Sequence, residues 1–239
     1  MKSRKKSRRG LRFAAALLSM GILCLCVAGF VTSQSGLSSA VSLPFGLGTS
    51  QADTSLGWNL ILVNKDHHIP ANYKVDLVEL SNGEKVDSRI YPELQSMFDD
   101  ARADGLALFV REGYRTRKEQ EQIMDERVVQ YQAQGYSKAE AGKLAREYVA
   151  VPDTSEHQLG LSVDINADTS KCSSDAVYNW LAENAWKYGF IKRYPADKVD
   201  ITGISNEPWH YRYVGKEAAQ EMQQSGMCLE EYVKEKETS

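Results

Sequence analysis

Proline, cysteine and histidine are scarce in this chain, with 6, 4 and 4 residues among 239. So few prolines, with 17 glycines and 42% hydrophobic residues, exclude collagen-like, mucin-like and wholly disordered chains. The length suits one medium domain or two small ones. Cys24 and Cys26 fall in the first 26 residues, so the remainder holds only Cys172 and Cys228. That excludes a multi-bridge scaffold and leaves either one disulfide or two free thiols. A basic surplus is also missing from the body of the chain. Residues 1–12 carry seven Lys and Arg and no acid, so from a net charge of −3 the rest carries −10. An acidic body argues against a broad nucleic-acid groove. No internal repeat and no regular strand–helix–strand rhythm is visible, which favours an α+β class with an antiparallel sheet over a parallel one.

One stretch lacks charge altogether. Phe13–Val31 is a 19-residue apolar run, close to the roughly 20 residues that cross a bilayer core as one helix. The basic residues before it place that end in the cytoplasm. The run is long for a signal peptide, so the expectation is a single-span anchor with the remainder extracytoplasmic. Weak cleavage sites at Val31–Ser33 and Ser38–Ala40 would make the protein secreted instead. Residues 32–57, rich in Ser, Gly and Thr and without periodicity, read as a flexible tether. The folded domain is expected over residues 58–233, with 234–239 as a charged tail.

Within the domain, WNLILVN (58–64) reads as a strand. Pro92 opens a helix with Leu94, Met97, Phe98 and Ala101 on one face and Gly105 as its stop. LALFVR (106–111) is a buried strand that Gly113 ends, and a polar helix follows to Gly135. Ser137 with Glu140 forms a capping box for a helix through Tyr148. LSVDI (161–165) and WHYRYV (209–214) alternate as strands. Ser174 opens a helix with Val177, Leu181, Ala185 and Tyr188 inward, and a last helix runs from about Lys216 to Gln224.

Two of the four histidines keep unusual company. SEHQLGLSVDI (155–165) sets His157 seven positions before Asp164, and NEPWHYRYV (206–214) sets Glu207 three before His210. Two imidazoles and one carboxylate form a three-ligand zinc set with an open fourth position, and a second carboxylate is then free to act as base. A fully extended chain from His157 to Asp164 spans more than about 20 Å, so one metal requires a bend, which Gly160 permits. Asp164 lies between Val163 and Ile165 on a buried strand, where an ionised carboxylate is costly unless paired or metal-bound. Pro208 keeps Glu207 out of the strand that carries His210. Spacing alone leaves a metal site and a purely structural role both open.

Four segments in order resemble the VanY-type D-alanyl-D-alanine carboxypeptidases: LILVNKDHHIPANY (60–73), GYRTRKEQ (113–120), SEHQLGLSVDI and EPWHYRYVG. The resemblance covers about three quarters of the chain, residues 58–233. It implies a compact single α+β domain, a central antiparallel sheet flanked by helices, as in the group that includes lysostaphin-like and hedgehog-like proteins. It implies one zinc ion held by His157, Asp164 and His210, with Glu207 as general base. Arg115 becomes a contact to substrate and transition state, and Ser155 and Gln120 become substrate contacts. The plain alternatives are an ion pair at the helix start for Arg115, turn capping for Ser155 and a solvated helix face for Gln120. Leu159, Ser162 and Glu112 stand where the family often has Thr, Ala and Ser, and Glu112 sits where it can alter substrate preference. His67 and His68 read as loop residues, and Trp209, Tyr211 and Tyr213 as core or cleft wall.

The expected function is zinc-dependent removal of the C-terminal D-Ala from peptidoglycan stem peptides, by a monomer attached to the membrane through its N-terminal helix. An L,D-carboxypeptidase or a peptidoglycan endopeptidase of the same fold remains an alternative, and so does a non-catalytic zinc-containing binding module.

Overall fold

The computed structural model describes residues 50–238. The basic segment, the apolar span and the tether as far as residue 49 lie outside the described residues. Among the described residues no helix is long and apolar enough to cross a membrane.

The last residues of the expected tether already belong to the fold. β1 (Ser50–Gln51) pairs in parallel with β2 (His67–His68), and Ala52 is buried. Between them, residues 58–64 form no ladder, which corrects the strand expected there. Ile61 and Val63 are buried, as the alternation requires. The backbone, however, has another partner: Arg212 Nη2 donates to the carbonyls of Asn59 (3.2 Å) and Ile61 (2.9 Å). A guanidinium takes the acceptors that a neighbouring strand would have used.

A hairpin of β3 (Leu77–Glu79) and β4 (Lys85–Asp87) leads into α1 (Tyr91–Ala103), which buries the four apolar residues its periodicity picks out. β5 (Leu108–Glu112) follows, then α2 (Arg117–Ala133) and α3 (Lys138–Ala145). Both helices start in capping boxes, Thr116 with Glu119 and Ser137 with Glu140. α3 stops short of Tyr148, and α2 buries only Gln120. β6 (Ser162–Ala167) leads to α4 (Ser174–Asn184), capped by the hydroxyl of Ser173 rather than Ser174. β7 (Phe190–Lys192), too short for a periodicity signal, α5 (Val199–Thr202) and β8 (His210–Tyr213) complete the centre. α6 (Lys216–Ser225) and α7 (Leu229–Thr238) close the chain, and α7 continues through the charged stretch expected to lie beyond the domain.

The main sheet has the order β5-β6-β8-β7, antiparallel throughout, in agreement with the α+β expectation. Val163 and Ile165 on β6 pack with Leu94 and Met97 of α1 and Val177 and Leu181 of α4 in one core cluster. Alternation then sends Ser162, Asp164, His210 and Arg212 to the opposite face. Cys172 and Cys228 are both free thiols, and the Cys172 sulfur contacts the backbone of Ala107.

Four charged side chains, Arg212 of that face with Glu156, Arg193 and Glu230, cluster there and were not singled out from sequence. Arg193, between β7 and α5, forks onto both oxygens of Glu230 on α7 (2.8 and 2.7 Å), and its Nε donates to Glu156 Oε1 (2.7 Å). Arg212 Nη1 lies 2.9 Å from the same Glu156 oxygen as an ion pair, without a directed hydrogen bond. Two guanidiniums and two carboxylates leave the group neutral, which burial demands. Burial opposes ionisation of Glu230, but Arg193 holds its pKa below the ordinary 4.5. A carboxyl depressed in the folded state contributes stability above its unfolded pKa, and that stability is lost as pH falls through the folded value. Glu230→Gln should therefore cost about 3 kcal/mol at pH 7, at the low end for a broken buried pair because Glu156 still faces Arg193. Thermal unfolding from pH 7 to 3 checks this, and the variant should lose less stability below pH 4.5 than the parent does.

Candidate active site

Register brings the two halves of the site together. Asp164 on β6 lies directly opposite His210 on β8, and Glu112 on β5 lies opposite Asp164 from the other side. Directly opposed residues have Cβ atoms about 4.5–5.5 Å apart on one face, so three strands deliver a row of polar side chains. His157 arrives from a 3-10 turn, Glu156–Leu159, which ends at Gly160 in the left-handed region (φ 72°). This is the bend that one shared site requires, and a Cβ there would meet the backbone N of Asp87 at 3.1 Å.

His210 Nδ1 lies 3.0 Å and His157 Nε2 3.4 Å from Asp164 Oδ1, and the three ligand atoms all fall within 4.8 Å of one another. The imidazoles meet edge-on at 4.9 Å between centroids. His157 Nδ1 donates to the Gly113 carbonyl (2.8 Å), which leaves Nε2 as the free lone pair facing Asp164. Burial and the Arg115 charge push the His157 pKa down. Burial opposes a charge on His210 too, but contacts with Asp164 and Glu156 lift it to about 9. The carboxylates gathered here therefore balance positive charge at one point, and two nitrogens with one oxygen make a donor set suited to zinc.

Glu207 stands beside this triad. Its backbone N–H donates to Tyr194 O (3.0 Å), outside the β8 ladder, and its Oε2 lies 3.7 Å from His210 Nδ1. Burial raises its pKa to about 7, with His210 pulling the other way. A carboxyl at that value can take up and return a proton near neutral pH.

Arg115 borders the same cleft. Its backbone N–H donates to His157 O (3.1 Å), its Nε donates to Glu112 Oε2 (2.9 Å) and its Nη2 lies 3.8 Å from Asp164 Oδ2. Glu112, noted from sequence as a departure, is thus the partner that aims this guanidinium. Gln120 accepts from Arg115 Nη1 (3.2 Å) and donates to Ala150 O (2.7 Å). It is only 1% exposed, so a solvated helix face does not describe it, and its amide links Arg115 to the Ala150 carbonyl. Ser155 is buried just before the 3-10 turn, and its hydroxyl does not cap that turn. His67 and His68 lie in β2, with His67 facing Asn64 (3.1 Å), apart from the triad. Trp209 is partly exposed beside the site, Tyr211 is buried, and Tyr213 stacks on Trp58. Sequence reasoning missed Glu156, Arg193 and Arg212. One signal was present: Arg212 stands two residues after His210 on an alternating strand, and so on the same face.

Gly113 has the tightest surroundings of this site. A Cβ on it would lie 2.2 Å from Lys85 O, a backbone atom, while its own carbonyl holds His157. Gly113→Ala must shift one of the two. Outer partners of a ligating histidine are worth about 10–100-fold in metal affinity, and a loss of that size is expected in zinc competition against a chromophoric chelator.

Comparison with known proteins gives this geometry a family. Residues 83–216 match the family model described as VanY, D-alanyl-D-alanine carboxypeptidase. The D-alanyl-D-alanine carboxypeptidase of Enterococcus faecalis is 58% identical over 176 residues, 74% of this chain and 66% of that protein. The chain thus spans just under two thirds of that relative's length. The structure of VanYB in complex with D-Ala-D-Ala superposes with a TM-score of 0.73 at 58% identity, covering 74% of this chain and 98% of that one. A glutamate-to-alanine mutant of the VanB-type D,D-pentapeptidase VanY, in complex with Zn(II), gives 0.72 at 58% identity, over 74% of this chain and 99% of that one. The LdcB LD-carboxypeptidase gives 0.63 at 38% identity, over 74% and 86%. A family model across more than half the chain and a relative sharing more than half the aligned residues agree with the motifs, and the chain belongs to the VanY family of D-alanyl-D-alanine carboxypeptidases.

Proposed function

We propose that this chain is a monomeric zinc D,D-carboxypeptidase, which hydrolyses the C-terminal D-Ala from peptidoglycan stem peptides ending in D-Ala-D-Ala. The observation that carries this reading is one cleft holding the His157, Asp164 and His210 ligand atoms within 4.8 Å, with Glu207 and Arg115 on its walls. Zinc in such a set supplies Lewis acidity and a water acidified to a pKa of about 7. Every other part is performed by side chains. Glu207 takes the proton of the attacking water on its carboxylate and returns it to the leaving amine of D-Ala, so one residue serves both halves of the amide cleavage. Arg115, held by Glu112 and Gln120, presents a fork that matches either the substrate's terminal carboxylate or the oxyanion developing at the scissile carbonyl. Burial of both imidazoles, with Asp164 only partly exposed beside them, limits competing water at the ligands.

The 19-residue apolar run with its basic flank supports a membrane anchor with the enzyme domain outside the cytoplasm, where its substrate lies. A second reading, L,D-carboxypeptidase, draws on the likeness to LdcB at 38% identity. Two peptides discriminate, a stem pentapeptide ending in D-Ala-D-Ala and the tetrapeptide ending in a single D-Ala. Mass spectrometry follows loss of one alanine, with and without a chelator. Chelator-sensitive loss from the pentapeptide alone is the expected result. Loss from the tetrapeptide alone would move the assignment to the L,D class. Zinc binding with no loss from either would overturn both carboxypeptidase readings in favour of a cross-link endopeptidase or a binding module.

A further inference from the structure

We propose that Glu156 is the positioning residue for His210: its buried carboxylate, fixed by two arginines, holds the far ring nitrogen so that the near one aims at the metal. The inference rests on the zinc site proposed above.

The two histidines of the triad use opposite ring nitrogens. His157 faces Asp164 with Nε2, and its other nitrogen is served by the Gly113 carbonyl at 2.8 Å. His210 faces Asp164 with Nδ1 at 3.0 Å, so its other nitrogen is Nε2. When Nδ1 ligates, the ring proton must sit on Nε2. That atom is buried with no hydrogen-bond partner among the described residues, and Glu156 Oε2 lies 3.6 Å away. A small closure makes the hydrogen bond that a ligating imidazole ordinarily gives to an outer acceptor.

Glu156 is built to hold that place. It is 2% exposed, directly before His157. Arg193 Nε donates to its Oε1 at 2.7 Å and Arg212 Nη1 lies 2.9 Å from the same oxygen. Ser162 Oγ donates to Oε2 at 3.1 Å, the oxygen that faces His210. Both oxygens are thus fixed, and no rotamer change is free to withdraw the carboxylate from the ring. Arg193 also forks onto Glu230 of α7 with its two terminal nitrogens, leaving Nε for Glu156. A buried ionic cluster is weak evidence for stability in itself, and one whose carboxylate also faces a ligand's outer nitrogen has a reason to be kept. A carboxylate in this position also makes the imidazole a stronger donor than a carbonyl would.

The test uses the full-length protein and zinc alone, with affinity read by competition against a chromophoric chelator and folding by circular dichroism and thermal unfolding. Glu156→Gln keeps the shape and removes the charge, and zinc binding should weaken by about 10–100-fold. Glu230→Gln disturbs the same ionic cluster away from His210, and it should lower the thermal midpoint while zinc affinity stays near the parent value. Where Glu156→Gln does not fold, Glu156→Asp decides: it keeps the charge for both arginines but withdraws the carboxylate by one methylene, and zinc affinity should fall in the same direction. Parent-like affinity in the deciding Glu156 variant overturns the inference. An equal loss in Glu230→Gln also overturns it, making Glu156 a residue of the fold alone. If the parent itself binds no zinc, the metal-site reading fails and takes this inference with it. If the parent binds zinc and the Glu156 variant binds it equally, only the role of Glu156 fails.

Discussion

Glu207→Ala is expected to retain one zinc per chain while D-Ala release falls by about 10²–10⁴-fold in kcat, the usual worth of a positioned general base. The separation follows from geometry. Glu207 Oε2 approaches His210 Nδ1 only at 3.7 Å, while Asp164 Oδ1 is 3.0 Å from that atom. The ligand atoms therefore keep their mutual positions when Glu207 is truncated. Its backbone bond to Tyr194 O does not involve the side chain, so the segment leading into β8 should stay in place. Loss of metal together with activity would make Glu207 a ligand rather than a base. Retained full activity would end its assignment as base. Glu207→Gln sharpens the test, because it preserves volume and hydrogen bonding and removes only the ability to accept the proton.

Asp164→Asn should behave in the opposite manner: zinc content after dialysis falls close to zero, and activity goes with it. Asp164 is the residue on which the site converges. One of its oxygens faces both imidazoles, and the other lies 3.8 Å from the Arg115 guanidinium. Burial disfavours its charge, yet the two histidines hold its pKa well below the usual carboxylate range. The amide cannot carry that charge, so the substitution leaves the cationic side of the cleft uncompensated and replaces the only carboxylate among the three ligands by a neutral, weaker donor. The loss of affinity should exceed the roughly 10–100-fold typical of an outer partner. Metal analysis by emission spectroscopy reads it directly. Near-parent zinc content in Asp164→Asn would move the metal site elsewhere. Together the two variants distinguish a residue that holds the metal from one that uses it.

Much of the site was legible along the chain because its information is local. An Asp flanked by Val163 and Ile165 on an alternating strand has to face away from the core, and Gly160 between His157 and Asp164 permits a turn that φ 72° then adopts. The helices at Pro92 and Ser137 announce themselves through a helix-opening proline with apolar periodicity and through a capping box, signals that act within a turn or two. The tertiary structure alone decided what depends on partners distant in sequence. Residues 58–64 have the composition of a strand, but Arg212, about 150 positions on, occupies the carbonyls of Asn59 and Ile61, and no ladder forms. Gln120 on a polar helix looks solvated until Arg115 and Ala150 close over it. Glu156, Arg193, Arg212 and Glu230 are unremarkable one by one. They become a buried neutral cluster only when α7 and β8 meet at the metal face, because a charge can leave water only where its counter-charges are already in place. Residue type and short spacing therefore determined which groups this site has available. Register across β5, β6 and β8 and long-range charge pairing decided which of them meet, since cross-strand distances are set by pairing rather than by position along the chain.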